Sequence, residues 1–458
     1  LLALLLAGCA VGPDYVRPDT PMTKAWKEQR AWREARPADD ALRGTWWGRF
    51  GDPALSALVA RIEASNQPLR AAEANLRQAQ ALSAQARAGL FPTLSVNAQG
   101  TRSLSPSLPN RPTLTSAPVT SYNVNAAASW EPDLWGRVRR SVESSDAQVQ
   151  ASTAELANVR LAQQTTLVQN VLALRVADAQ RQLLEDTVAG YERQVTLTTN
   201  QYNAGVVSKA DVVQAQTQLR STQAQAIDIG VRRAQLEHAI AILVGEPPAR
   251  FSIEQAAAPA DVPSVPLEMP SALLERRPDI AAAERRVAAA NAQIGVAQAA
   301  FYPSLTLTGS RGYQSTSWAR LFDAPAVFWS LGPQLAQVLL DGGLRKAAKA
   351  QAQAAWEADV ATYRQTVLGA FAEVEDNLAA LRILEEEAQV QREALEAARQ
   401  SLAIVSNQYK AGTVSFLNVI VAQQTALANE RTAVDLLGRR LDATVQLVRA
   451  LGGGWEGL

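Results

Sequence analysis

The 458-residue chain has one cysteine, Cys9, and one histidine, His238. A lone cysteine excludes an intrachain disulfide and a cysteine-rich metal cluster. With one histidine as well, most metal sites and nucleophile–base pairs have nothing to be built from. His238 sits among Leu236, Ile240 and Leu243, the setting of a packing or surface histidine. Net charge is absent, since Lys+Arg and Asp+Glu each number 44, so nothing electrostatic points to nucleic acid. The two methionines, Met22 and Met269, make no methionine-rich copper track. No apolar run is long enough to span a bilayer as a helix. Glu373, Glu375 and Asp376, like Glu385-Glu386-Glu387, lie on long helical patterns and read as solvated faces. Gly342-Gly343 and Gly452-Gly453-Gly454 punctuate helices rather than cradle a phosphate. The composition offers no enzyme site, no metal site and no cofactor site.

What the chain does have, it has twice. Residues 201–216 read QYNAGVVSKADVVQAQ and residues 408–423 read QYKAGTVSFLNVIVAQ. Each copy lies between long Ala/Gln/Leu-rich runs without proline. Gly205 and Gly412 read as helix stops, and Ser208 and Ser415 as N-caps of the next helix. Each copy is therefore the tip of an antiparallel helical hairpin.

In chain order, residues 1–9 (LLALLLAGC) form an apolar run ending in cysteine, with no basic start. They read as the remnant of a trimmed bacterial lipoprotein signal with Cys9 as lipid acceptor; a core strand with a buried cysteine is the alternative. Residues 10–52 read as an extended arm pinned by Trp46, Trp47 and Phe50. Residues 53–245 form a first repeat. It has helices opened by Asp52-Pro53 and Pro68, alternating strands at about 93–101 and 120–131, and a very long helix from Asp133 to the tip near 205. At roughly 70 residues that helix would measure about 100 Å. A Pro-rich linker, 246–270, follows. The order then recurs over 271–451, with strands at about 304–312 and 326–339 and a tip near 412, before a tail at 452–458. The long helices carry a left-handed coiled-coil seam: Val367, Phe371, Val374, Leu378 and Leu381 step by 4 and 3, as do Leu395, Ala398, Leu402, Val405 and Tyr409. The fold class is mainly α with a small β part.

Four strands of about ten residues, each with one apolar face, fit a transmembrane barrel with aromatic girdles. Trp130, Tyr302, Phe328 and Trp329 lie at or near their ends. An open four-stranded sheet leaves edge groups without partners in lipid, so several copies must share one barrel. A periplasmic coiled-coil scaffold would explain the hairpins but not the alternating strands.

With these features assembled, the chain resembles the TolC-like outer-membrane factors, in their OprM- and NodT-like lipoprotein branch. The marks are Gly12-Pro13-Asp14-Tyr15, Trp46-Trp47 with Phe50 and Asp52-Pro53, Asp133-Leu134-Trp135-Gly136-Arg137, and Arg276-Arg277-Pro278-Asp279-Ile280. The resemblance implies a homotrimer with a helical tunnel and a shared twelve-stranded barrel in the outer membrane, anchored by lipid on Cys9. It implies a passive exit duct for small molecules, joined through a periplasmic adaptor to an inner-membrane pump of the resistance–nodulation–division type; a duct for type I protein secretion is the alternative. It also implies adaptor docking at Tyr202, Ala204, Gly205, Val206, Val207 and Ser208, and at Tyr409, Ala411, Gly412, Thr413, Val414 and Ser415, unless these glycines only make the turns. A closed entrance would rest on Tyr409 held to Asp211 of a neighbouring copy, although Asp211 also suits a solvated first-turn carboxylate. Asn418 and Val421 stand where some relatives carry acidic rings, so apolar constriction at Val421 replaces a cation-selective ring in this reading.

Overall fold

The computed structural model describes residues 10–20, 25–28, 45–104, 118–259, 261–263 and 277–453. Cys9 lies outside these residues, as do parts of the expected arm and of the linker. The described elements are α1 (Pro53–Ser65), α2 (Gln67–Ala88), β1 (Thr93–Ser103), β2 (Val119–Trp130), α3 (Arg137–Asn203), α4 (Lys209–Leu243), α5 (Pro278–Ala299), β3 (Ser304–Ser315), β4 (Val327–Ala336), α6 (Leu344–Lys410) and α7 (Phe416–Ala450). The two longest helices have 67 residues each.

Several boundaries differ from the sequence expectation for local reasons. Helix α3 starts at Arg137, not Asp133. Asp133 still caps it from outside, accepting from the Val138 and Arg139 amides at 3.0 and 2.8 Å, because Gly136 at φ 78° turns the chain before the first helical residue. Helix α2 starts one residue before Pro68, and Asn66 caps it by accepting from the Leu69 amide at 2.9 Å. Strand β4 stops at Ala336 rather than near 339, and β3 continues to Ser315.

The chain divides into two compact units that follow a different division from the two repeats. One comprises Leu1–Asp19, Asn75–Ser152 and Ala282–Tyr363; the other comprises Thr20–Ala74, Thr153–Ala281 and Arg364–Leu458. Each takes chain from both repeats.

In the first unit the strands form one antiparallel sheet in the order β1-β2-β3-β4. The join between repeats is the β2–β3 pairing, from Tyr122↔Ser315 to Trp130↔Leu307. Opposed residues share a face. Asn97, Asn125 and Gly312 lie on one face with Ser95, Gln99, Asn123, Ser310 and Gln314, whereas Val96, Ala126, Arg311 and Trp329 lie on the other with Leu94, Val124, Leu307, Leu331 and Leu335. Leu94, Val96, Trp329, Leu331 and Leu335 are exposed large apolar side chains. The Asp133-Leu134-Trp135-Gly136-Arg137 motif meets the chain just before β3. Trp135 stacks on Tyr302 at 4.9 Å and donates its indole N–H to the Pro303 carbonyl at 2.7 Å. The arm lies against α3 and α5: Arg140 of α3 donates to Asp14 at 2.7 Å, Tyr15 donates to Glu284 of α5 at 2.7 Å, and Asn291 of α5 donates to the Pro13 carbonyl at 3.0 Å. Its closeness requires glycine on both sides, since a Cβ on Gly12 (φ 110°) would meet the Gly295 Cα at 2.5 Å.

In the second unit the expected seam is buried: Val367, Val374 and Leu378 are fully enclosed, and Phe371 packs edge-on against Trp26 at 5.9 Å. Trp46, Trp47 and Phe50 are buried in a single 3-10 turn before α1. Asp52 caps α1 through the Ala54 amide at 2.8 Å. Its other oxygen receives the buried Arg175 side chain at 2.7 Å, and Arg175 also donates to the Glu254 carbonyl at 2.6 Å. Beside it Arg233 donates to Asp178 at 2.8 Å, Glu237 at 3.0 Å and the Ile253 carbonyl at 2.8 Å. This cluster fastens the segment after α4 to α3 and α4. Arg277 donates through two nitrogens to Asp279 and reaches Glu373 and the Ala450 carbonyl, which ties the start of α5 to α6 and the end of α7. Among the described residues no helix is long and apolar enough to cross a membrane.

Candidate functional site

The two hairpin tips lie in the second unit and meet there. Each is built the same way at its first half. Gly205 and Gly412 both take φ 75°, a left-handed conformation that costs an L side chain about 1–2 kcal/mol. The Val206 amide donates to the Gln201 carbonyl at 2.8 Å and the Gly205 amide to the Tyr202 carbonyl at 2.9 Å. The Thr413 and Gly412 amides repeat this pattern with Gln408 and Tyr409 at 3.0 and 2.9 Å. Both are Schellman ends, which satisfy the last carbonyls of α3 and α6. A Cβ on either glycine would meet nothing within 4 Å, so backbone conformation alone demands them.

The second halves differ. Ser208 and Asp211 close a capping box on α4. Asp211 Oδ2 accepts from the Ser208 amide at 3.0 Å and hydroxyl at 2.8 Å, while Ser208 Oγ accepts from the Asp211 amide at 3.3 Å. Ser415 has the same backbone angles within a few degrees but makes no side-chain cap bond to α7. The residue three positions on is Asn418, which brings no carboxylate to close the box. Ser208→Ala is therefore expected to destabilise the start of α4 by about 1 kcal/mol and Ser415→Ala to leave α7 nearly unchanged. Amide hydrogen exchange at residues 209–212 and 416–419 checks this; equal responses would show that the box contributes nothing.

Tyr409 packs with Phe416 at 5.4 Å and joins a cluster of Ala215, Phe416, Val419 and Ile420, with Val195 and Val405 against it. Residues from both hairpins thus share one small core. The corresponding first-tip tyrosine, Tyr202, is exposed, because Lys209 stands where Phe416 supplies a ring. Val206 is also exposed, while Val207 and Val414 are half-buried and Ala204, Ala411 and Thr413 are exposed. The tips together offer small and apolar side chains to solvent around two turns.

Within one chain the structure does not bring Tyr409 onto Asp211. The Tyr409 hydroxyl donates to Gln201 Oε1 at 3.3 Å, and the Asp211 carboxylate is taken by its own cap. Burial, and then the Asp211 charge, push the Tyr409 phenol above its ordinary value. Gln201 was missed as a partner, although its recurrence as Gln408 marked it. Two further hairpin-to-hairpin bonds were invisible in the sequence: Gln424 to Gln218 and Arg431 to Gln225, both at 2.8 Å. Asn418 and Val421 are exposed, Val421 at 55%.

The family sequence model described as Outer membrane efflux protein matches residues 58–246 and 269–453, well over half of the chain and once per repeat. The outer membrane protein OprJ of Pseudomonas aeruginosa is 32% identical over 462 residues, covering 100% of this chain and 95% of that protein. A probable efflux pump outer membrane protein of Pseudomonas putida, TtgC, is 31% identical over 463 residues, covering 99% of this chain and 94% of that protein. The solved outer-membrane channel OprN superposes with a TM-score of 0.90 at 30% identity, covering 98% of this chain and 100% of that one.

Proposed function

The chain belongs to the outer membrane efflux protein family, and from that premise we propose that three copies form the exit duct of a tripartite efflux pump. The duct is a non-enzymatic channel of the outer membrane. The observation that carries the assembly is the sheet with two open edges, β1 and β4. Unpaired edge N–H and C=O groups are untenable in hydrocarbon. The strands run alternately up and down, so β4 of one copy meets β1 of the next antiparallel, and closure removes every edge. Three copies give twelve strands, within the range of membrane barrels. Lipid on Cys9 would add an anchor to this barrel.

A periplasmic adaptor docks on the tips in this reading, at Tyr202, Ala204, Gly205, Val206, Val207 and Ser208 and at Tyr409, Ala411, Gly412, Thr413, Val414 and Ser415. An inner-membrane pump of the resistance–nodulation–division type supplies the energy. The entrance is closed by Tyr409 of one copy against Asp211 of its neighbour, with Asn418 and Val421 lining the constriction. That lock needs Tyr409 to exchange Gln201 for the neighbour's carboxylate, a swap between two hydrogen-bonded states of the kind that makes a bistable gate.

Light scattering on detergent-extracted protein tests the assembly, with a trimer of the 49.1 kDa chain expected. A monomer that stays in solution without detergent would sink the reading. For the entrance, Val421→Ser is expected to raise leak conductance in planar bilayers, and unchanged conductance counts against constriction at Val421.

A further inference from the structure

The four strands contain two charged residues, Arg102 in β1 and Arg311 in β3, while β2 and β4 contain none. The face rich in Ser, Asn and Gln would be the ordinary place for them. The register puts both on the apolar face instead. Arg311 is opposite Ala126 and Trp329, and Arg102 alternates in β1 with Leu94 and Val96 on the same side. Neither guanidinium has an ion-pair or hydrogen-bonding partner among the described residues, and both side chains are exposed. An arginine on a lipid-facing surface costs about 2–4 kcal/mol at mid-depth, falling to about 0–1 near the interface.

Arg102 lies at interface depth, and Arg311 lies nearer mid-strand, with its long side chain left to reach the interface by snorkelling. Both lie toward the strand ends remote from the helices, Arg102 one residue before the end of β1 and Arg311 four before the end of β3. Those ends carry two edge-on aromatic pairs, Tyr122 with Trp318 at 5.5 Å and Tyr313 with Phe322 at 5.3 Å. Trp318 and Phe322 are exposed, as expected of a girdle at headgroup level. Arg311 is two residues, about 7 Å, below Tyr313 on the same face, within reach of that level for a long side chain that snorkels. In the loop beyond, Arg320 and Asp323 add one charge of each sign.

We propose that Arg102 and Arg311 form a rim that binds the anionic, phosphate-bearing headgroups of membrane lipid at the girdle remote from the helices. The proposal rests on reading the sheet as part of a membrane barrel. A flat guanidinium presents a fork of donors to phosphate oxygens, and the headgroup is the partner that no described residue supplies.

The test uses the full-length protein in bilayer discs of phosphatidylglycerol and phosphatidylcholine in equal parts, with the lipid that stays bound after brief delipidation counted by native mass spectrometry. The wild type is expected to enrich phosphatidylglycerol, and Arg102→Gln and Arg311→Gln each to lower the enrichment about fivefold. Arg311→Lys keeps much of it. Raising salt from about 0.1 M to about 1 M, which shortens the screening length to ~3 Å, abolishes it in the wild type. The salt arm stands even if a glutamine variant fails to assemble. Wild-type protein that inserts but shows no enrichment, or enrichment unchanged in both glutamine variants or by salt, overturns the proposal and leaves the channel intact. Failure to enter discs at all overturns the membrane reading and the proposal with it.

Discussion

Arg175→Met is expected to lower the stability of the folded protein by about 3–5 kcal/mol, the usual cost of stranding a buried charge. Arg175 is 3% exposed and is paired with Asp52, whose side chain is 5% exposed, at 2.7 Å. Asp178 stands 3.7 Å away with one carboxylate oxygen that has no hydrogen bond. Removing the guanidinium leaves Asp52 buried without its cation, deprives the Glu254 carbonyl of its donor and worsens the position of Asp178. Arg175→Lys keeps the charge but loses the fork, so its loss is smaller than that of methionine. Urea midpoints of the purified variants check the order. Midpoints for methionine and wild type that coincide would mean that water already reaches the cluster.

The second large effect concerns the sheet. Leu331 is 80% exposed and lies mid-strand in β4 on the apolar face. Leu331→Lys is expected to cost about 2–4 kcal/mol per chain on assembly in the membrane, and the assembled fraction falls accordingly. Gln334, on the opposite face of the same strand and opposite Thr306, is the control: Gln334→Lys faces water and leaves assembly unchanged. Fractionation of the outer membrane, with unheated gel electrophoresis to preserve oligomers, reads both. Equal loss in the two variants would show that the faces are assigned wrongly.

How much of this was legible in the sequence follows the range of the interactions. The tip glycines, the Asp52-Pro53 helix start and the 4-3 seam are local patterns, and the structure has them where the residues indicate. Strand alternation survived as well, since one face of each strand is apolar and period two is hard to counterfeit over ten residues. The Arg175 cluster was not legible. Its partners are 123 and 79 residues away, and an arginine inside a long helix looks like any solvated one. The arm's motif residues were recognisable as a pattern, but the reason for Gly12 is Gly295, far along the chain. The cap on α7 misled in a different way. Ser415 repeats Ser208, yet the box depends on the residue three positions later, where asparagine replaces aspartate.

The sheet's up-and-down order has one more consequence. Each copy contributes an even number of alternating strands, so any number of copies would close without a mismatched seam. Strand parity is therefore silent about stoichiometry. What can count the copies is curvature, because barrel diameter grows with strand number, together with the bend per copy that the Ala-rich coiled-coil faces will accept. Substitutions that widen those faces should change how many chains share a ring before they change whether a ring forms.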